Sequence, residues 1–403
     1  MKRSLCLLLA CSLVAPLWAA KKTTVQELKD TLAALNQEKK TDEEVATRLK
    51  DIDLGEELTS ATLKLLAPLI PGPLSQEQMN ILEGRSALLS PPASDLPTSP
   101  APDAAMQKAI LTRATDYANK VYAQNPRFMV KKVTARYQDG VQGIRTNSGM
   151  TSNVGQADRA WELPSMYMRF YGSHLDEVET DHGVEKRPVE KTKVPWGQNG
   201  QVSEGGPGPN LSVILQQAED SGKLSWLRWE SIAGKPFAVF SFAIDKKKSN
   251  YVVNYCCFPV TGDTGRMGYE GTGANFQTAT DWKDFKATVS YRGELFIDPD
   301  TGVIVRLITQ AGLKPTDFVH QEDMRIDYAP LVIDGRERML PADSFTITEV
   351  VPNGDNYAAR YSIRHTVFVA TYQDYQLADS VNPGKIAGPG FGSQILQRAV
   401  CAT

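Results

Sequence analysis

The sequence predicts an α+β protein, with amphipathic helices first and an antiparallel β-sheet after them. Three observations carry this. Between Thr23 and Leu89, apolar residues recur at spacings of three and four. From about residue 125 the recurring unit changes to strand-length runs rich in β-branched and aromatic residues, closed by tight turn signals. Between the two lies SPPASDLPTSPAPD, residues 90–103, whose proline and serine content predicts an extended, semi-rigid linker. The 403 residues are 41% hydrophobic and 23% charged, which suffices for two or three domains with ordinary cores.

The chain opens MKR, continues SLCLLLACSLVAPLWAA and then reads KK. A basic start, a short apolar run and small residues at its end predict a signal peptide over 1–20, cut near Ala19 or Ala20. That places the chain in the periplasm or outside the cell. The alternative is a lipoprotein leader, with Leu8-Leu9-Ala10-Cys11 as the lipid-attachment motif. No later run approaches the roughly 20 apolar residues of a membrane span. Net charge is −3, and more negative once a leader carrying Lys2 and Arg3 is removed. With no long basic run either, a nucleic-acid partner is not expected.

A helical domain is predicted over 21–89. Val25, Leu28, Leu32 and Leu35 form the first stripe. Thr41, with Glu44 three residues on, is a capping box ahead of Val45, Leu49 and Ile52. Thr59 or Ser60 opens a helix stopped by PLIPGP, and Ser75 is expected to cap the next. None of these short helices is stable alone, so they should pack as a bundle. One more helix over 104–124 leads into a β domain over 125–381, and 382–403 reads as an irregular tail. Turns such as AGKP, DPDTG and IDGRE join consecutive strands and imply an antiparallel meander. One helix is expected inside it, capped by Asn210 and ended by Gly222.

The order of the β part is distinctive. A helix is followed by SWLRWESIAGKPFAVFSFAI, NYVVNYCC, YRGELFIDPDTGVIVRL, PTDFVHQEDMRIDY and RERMLPADSFTI. It resembles the lipoprotein-carrier group of half-barrel proteins, the LolA/LolB-like fold, in which strand, D-P-x-T-G, strand is a recurring hairpin. The whole chain is also similar in layout to uncharacterised secreted bacterial proteins. The resemblance implies an antiparallel half-barrel with covering helices, whose concave face accommodates acyl chains or a partner. It brings no catalytic residues.

Candidate chemistry is sparse. Asp298, Asp300 and Gly302 resemble the start of a calcium loop. Counted from Asp298, however, the fifth, sixth and twelfth positions are Gly302, Val303 and Thr309, which fail the loop's requirements. A turn fits better, with Pro299 presetting φ, Asp298 bonding backbone amides and Gly302 supplying a positive φ. His174, His182, Asp176, Glu177, Glu179, Asp181 and Glu185 are the densest cation-ligand types, yet they also read as strand, turn, strand with charges on an exposed edge. His320 and His365 are isolated in sequence. No catalytic motif is present, so an enzyme is not expected; no cofactor and no metal are expected either. Cys256, Cys257 and Cys401 remain after the leader. Adjacent strand residues face opposite ways, so a bridge to Cys401, for example from Cys257, is more natural than a 256–257 bridge; free or buried thiols are the alternative.

The hairpin over 224–244 is the most suggestive stretch. Phe237 and Val239 fall on one side of its second strand and Phe240, Phe242 and Ile244 on the other. A sheet apolar on both faces must be covered on both, by helices, another sheet or a ligand. Core packing explains such residues. The functional alternative makes Trp226, Trp229, Phe237, Val239, Phe240 and Phe242 the lining of a site for a lipid or lipidated protein. A noncatalytic envelope protein that binds such a ligand is therefore expected. An envelope protein-interaction scaffold is the first alternative, and an unrecognised hydrolase the second.

Overall fold

The computed structural model describes residues 22–139, 168–181, 184–186, 210–260, 281–314, 317, 319–350 and 364–378. The leader, the lipoprotein motif at Cys11, His182, Cys401 and the tail lie outside them.

Helices come first: α1 (Val25–Gln37), α2 (Asp42–Lys50), α3 (Ser60–Leu66) and α4 (Pro73–Ser86). The capping box of Thr41 with Glu44 forms as predicted, and Thr24 with Glu27 forms a second at the start of α1. The start of α4 differs from expectation. Pro73 occupies its first turn, which suits a residue without an amide hydrogen, and Gly72 takes the cap position. Ser75 lies inside that turn, where it and Leu74 donate backbone amides to the Asp42 carboxylate of α2, each at 2.9 Å. The anion at the helix N-terminus ties α2 to α4. Leu28, Leu32, Val45, Leu49, Met79 and Leu82 close a shared core.

After α5 (Ala104–Lys120) come β1 (Phe128–Asp139), β2 (Met168–Asp181) and β3 (Val184–Lys186). Then follow α6 (Leu211–Ser221), β4 (Leu224–Ile232), β5 (Lys235–Ile244), β6 (Val252–Val260), β7 (Asp281–Thr288), β8 (Ser290–Ile297) and β9 (Ile304–Gly312). The last strands are β10 (Val319–Ile333), β11 (Arg336–Val350) and β12 (Arg364–Leu377). The fold is α+β. Among the described residues ten strands form one antiparallel sheet in the order β3-β2-β1-β12-β11-β10-β9-β8-β5-β4, and β6 pairs with β7 in a separate ribbon. Cys256 and Cys257 lie on the β6 backbone; the proposed partner Cys401 is outside the described residues, and so is any bridge to it.

Helices cover both faces of the sheet. On one face, Ile110 and Ala114 of α5 and Ile214 and Leu215 of α6 pack on Phe240, Phe242, Leu295, Leu307 and Ile326. On the other, Ile81 and Ala87 at the end of α4 meet Ala135, Phe345, Val367 and Val369. Gly84 permits this approach, because a Cβ there would stand 2.8 Å from a Val367 methyl. The chain therefore passes from one face to the other between α4 and α5, beside the edge strand β4. Residues 90–103 make that passage. The Trp229 indole on β4 donates to the Pro100 carbonyl at 2.8 Å, and Pro91, Pro92 and Pro102 are buried. Apart from one 3-10 turn over Ala93–Asp95 the strip is irregular, and its contact with β4 shields part of a sheet edge.

The D-P-D-T-G stretch is the β8–β9 hairpin. One Asp298 carboxylate oxygen accepts the amides of Asp300 and Thr301 at 2.9 and 3.3 Å, and the other pairs with Lys235. Gly302 has φ +77°, and its Cα lies so close to α5 that a Cβ would come within 2.3 Å of the Arg113 carbonyl carbon. Arg113 in turn donates to the Pro299 carbonyl at 2.6 Å. The turn is a seat for α5. Gly302→Ala combines left-handed strain with a backbone clash and is expected to cost about 1–3 kcal/mol, read as a lowered urea midpoint.

Candidate functional site

The six aromatic and aliphatic residues singled out in 224–244 do not share one surface. Trp226, Trp229, Phe240 and Phe242 pack on the face covered by α5 and α6. Trp226 meets Trp229 edge-on at 4.9 Å and Phe240 at 5.6 Å, and Phe242 meets Tyr291 at 5.9 Å. Gly293 makes room for the Phe242 ring, which a Cβ would approach to 2.7 Å. Val239 points to the opposite face, against Phe296 and Ile308. Phe237 is buried beside the β4–β5 turn, with the Lys235 ammonium 5.7 Å from its ring centre. Phe240 and Phe242 are fully buried by the protein's own helices, while the two tryptophans are only partly covered. Tyr291 is tied to the cover by a 2.8 Å hydrogen bond to Gln217 of α6.

The same face changes character across the sheet. One cross-strand row runs Trp226, Phe240, Leu295, Leu307, Ile326, then Ser344, Ala370, Thr134. The next runs Phe242, Gly293, Thr309, Met324, Thr346, Phe368, Arg136. Along these rows β4 to β10 is mostly aromatic and aliphatic, interrupted by Gly293 and Thr309, whereas β11 presents Ser344 and Thr346, β12 Ala370 and Phe368, and β1 Thr134 and Arg136. Arg136 is buried there, its guanidinium 5.8 Å from the Phe368 ring centre and bonded to Gln138. Nearby, Lys132 pairs with Glu185 at 3.1 Å, and Tyr372 donates to the same carboxylate.

The acidic and histidine cluster of β2 and β3 resolves into separate pairs. His174 pairs with Asp176 at 2.8 Å, Glu179 with Arg127 at 2.7 Å and Glu185 with Lys132. His320 and His365, distant in sequence, flank Glu349 at 3.8 and 3.6 Å. Among the described residues, no group of three His, Cys, Asp or Glu side chains is arranged to hold a metal ion. Nor is any described helix long and apolar enough to cross a membrane.

The face beneath α4 holds what the sequence did not disclose. Arg325 of β10 donates to Glu57 at 2.7 Å, to Asp327 at 2.9 Å and to the Ala87 carbonyl at 3.1 Å. Arg306 of β9 bonds the other Asp327 oxygen and lies 3.7 Å from Glu57 and 3.6 Å from Glu230. Arg228 of β4 bridges Glu230 and Glu294 at 2.7 and 2.8 Å. Phe296 and Phe345 lie beneath these guanidiniums, at 5.2 Å from Arg306 and 5.3 Å from Arg325. Glu57 comes from the segment between α2 and α3, and Glu83, also buried, from α4.

Carboxylates here titrate abnormally. Burial pushes Glu83 up to about 8; Asp343, Glu57 and Asp327 add to this, and Arg325 only partly opposes it. Burial also raises Glu230, with Glu57 adding and Arg306 and Arg228 opposing. For Asp327 burial works upward too, but Arg306 and Arg325 outweigh it and hold the carboxyl below its usual range. This lattice joins the N-terminal helices to the sheet by charge. A sequence signal did exist: Asp323, Arg325 and Asp327 alternate in an apolar strand, as does Arg306 in GVIVRLIT.

No protein-family model, curated protein or solved structure matches the chain.

Proposed function

We propose that the chain is an exported, noncatalytic envelope protein that binds an amphiphile, a lipid or a lipidated partner, on the α5–α6 face of its sheet. We read that sheet as a half-barrel and α1–α4 as a bundle docked behind it. The carrying observation is the change across this face, mostly aromatic and aliphatic from β4 to β10 and more polar at the far side, where β11 presents Ser344 and Thr346 and β1 presents Thr134 and Arg136. An acyl chain suits the first part and a polar group the second.

Because α5 and α6 fill the face, binding requires a cover to move. The shorter helix, α6, is the candidate. It buries Leu211, Ile214 and Leu215, roughly 1.5–3 kcal/mol each, so lifting it costs about 5–9 kcal/mol. An acyl chain contributes about 0.8 kcal/mol per buried methylene, so roughly six to eleven methylenes offset the loss. Single-chain phosphocholines of graded length therefore test the reading. Chains of about 14–16 carbons, brominated along the chain, should quench tryptophan fluorescence through Trp226 and Trp229. Chains of about six should not. Equal quenching at all lengths, or none with long chains and no lipid extractable from protein made in its native host, overturns the proposal.

A scaffold for a protein partner is the second reading. The filling of both sheet faces by the chain's own helices favours it, since such a body presents a rigid outer surface. Crosslinking in the native envelope that captures a partner, together with no lipid response, would select it.

A further inference from the structure

Residues 90–103 pass the β4 edge with both ends tied down and the middle exposed. At the start, the Ser90 carbonyl accepts the Glu57 amide at 2.8 Å, Pro91 and Pro92 are buried, and the Thr59 hydroxyl donates to Asp95 at 3.2 Å. At the far end Pro102 is buried, and its carbonyl accepts the Gln107 side chain at 2.8 Å. Asp103 then caps α5 by accepting the Met106 amide at 2.8 Å. Between these anchors Thr98, Ser99, Pro100 and Ala101 are exposed. Among the described residues, the hydrogen bond that holds this middle stretch runs from the Trp229 indole to the Pro100 carbonyl, at 2.8 Å.

The middle stretch is stiff. Leu96 enters it extended, at φ −83° and ψ 139°, and Asp103 leaves it extended, at φ −66° and ψ 168°. Pro97, Pro100 and Pro102 each fix their own φ. A stiff segment gains little conformational freedom by lifting, so one bond suffices to hold it down. Inward from that bond the aromatic rings follow one another. Trp229 meets Trp226 at 4.9 Å, and Trp226 meets Phe240 at 5.6 Å, in the core beneath α5 and α6. Phe240 is fully buried, whereas both indoles are only partly so. The same edge carries the end of the other cover, since α6 stops at Ser221 and β4 begins at Leu224.

We infer that residues 96–101 are a strap that opens and closes over the Trp226–Trp229 pair, with the Trp229 indole N–H as its catch. Closed, the strap shields the β4 edge and the outer side of the two rings. Open, it bares the row of rings that leads under the helices, while both anchors stay in place. Its use as an entrance for an acyl chain rests on the amphiphile reading above; the opening itself does not.

The indole hydrogen of Trp229 reports the catch directly. In the full exported chain, isotope-labelled for magnetic resonance, its signal is assigned by its loss in Trp229→Phe. Its exchange in deuterated water is read beside the amides of β5, which lies between β4 and β8, each corrected for its intrinsic rate. The indole should exchange more slowly than a free indole and faster than the β5 amides. A rate equal to that of a free indole overturns the closure. A rate no faster than that of the β5 amides overturns the opening, and neither result needs a variant. A chain carrying both Pro97→Gly and Pro100→Gly loosens the strap and leaves the core untouched. Its indole exchange should rise by roughly tenfold with the β5 amides unchanged. No rise, or an equal rise in the β5 amides, overturns the strap. In the same chain, quenching by the long-chain brominated phosphocholine should set in faster than in the wild type. An unchanged onset overturns the entrance. Absence of quenching in both chains counts against the amphiphile reading, while the strap is decided by indole exchange.

Discussion

Arg325→Met is expected to lower the unfolding free energy by about 3–5 kcal/mol, the usual cost of removing one partner from a buried ionic group. The methionine fills most of the volume, so the loss is electrostatic. Glu57 and Asp327 stay buried, and the Ala87 carbonyl loses its donor. Arg306 still touches both carboxylates and softens the loss, placing the result toward the lower end. Arg228→Met is the internal comparison. One of its partners, Glu294, is about a quarter exposed and water can solvate it, so this cost should be smaller. A Glu57→Gln, Arg325→Met pair should recover part of the single-variant loss, because the carboxylate stranded by the first change is removed by the second. Urea midpoints at unchanged slope supply the measurement. Equal, small losses for Arg325→Met and Arg228→Met would mean that water reaches the lattice.

The same lattice explains what could be read in the sequence and what could not. Stripes and caps are local, so α1 and α2 were legible from Val25, Leu28, Leu32 and from Thr41 with Glu44. The hairpin at Asp298 was equally local, with proline, aspartate and glycine each at the position its chemistry suits. Period two separated Val239 from Phe240 and Phe242 correctly. It could not say that α5 and α6 cover one side and α4 the other, because that depends on where the chain crosses the β4 edge. Residues 90–103 have the composition of a free spacer, and it takes the Trp229 indole bond and the buried prolines to show that the strip is held. Arg325 and Asp327 look solvent-facing in a strand with one wet face. Arg325's partner Glu57 lies 268 positions away, and no pattern in a single sequence joins them.

Stability should fall, not rise, as the pH moves from about 5 toward 8, and Glu83→Gln should flatten that decline. The sign follows from proton counting. In the unfolded chain Glu83 ionises near the ordinary glutamate value, while in the folded chain it holds its proton up to about 8. Between those values the folded state binds one proton more than the unfolded state. Each pH unit therefore removes about 1.4 kcal/mol from this group's contribution. Across the whole window that is on the order of a few kcal/mol. Asp327 acts oppositely and elsewhere: its carboxyl is held low by Arg306 and Arg325, so its contribution is complete above the ordinary aspartate value and is lost only in acid. The wild-type profile should then be a dome to whose alkaline limb Glu83 contributes beside the raised Glu230 and Asp323, and to whose acid limb Asp327 contributes beside Asp298. Urea titrations at half-unit pH steps resolve the two limbs. In Glu83→Gln the alkaline limb should become shallower while the acid limb stays. A variant profile parallel to the wild type throughout would place the alkaline titration in another group.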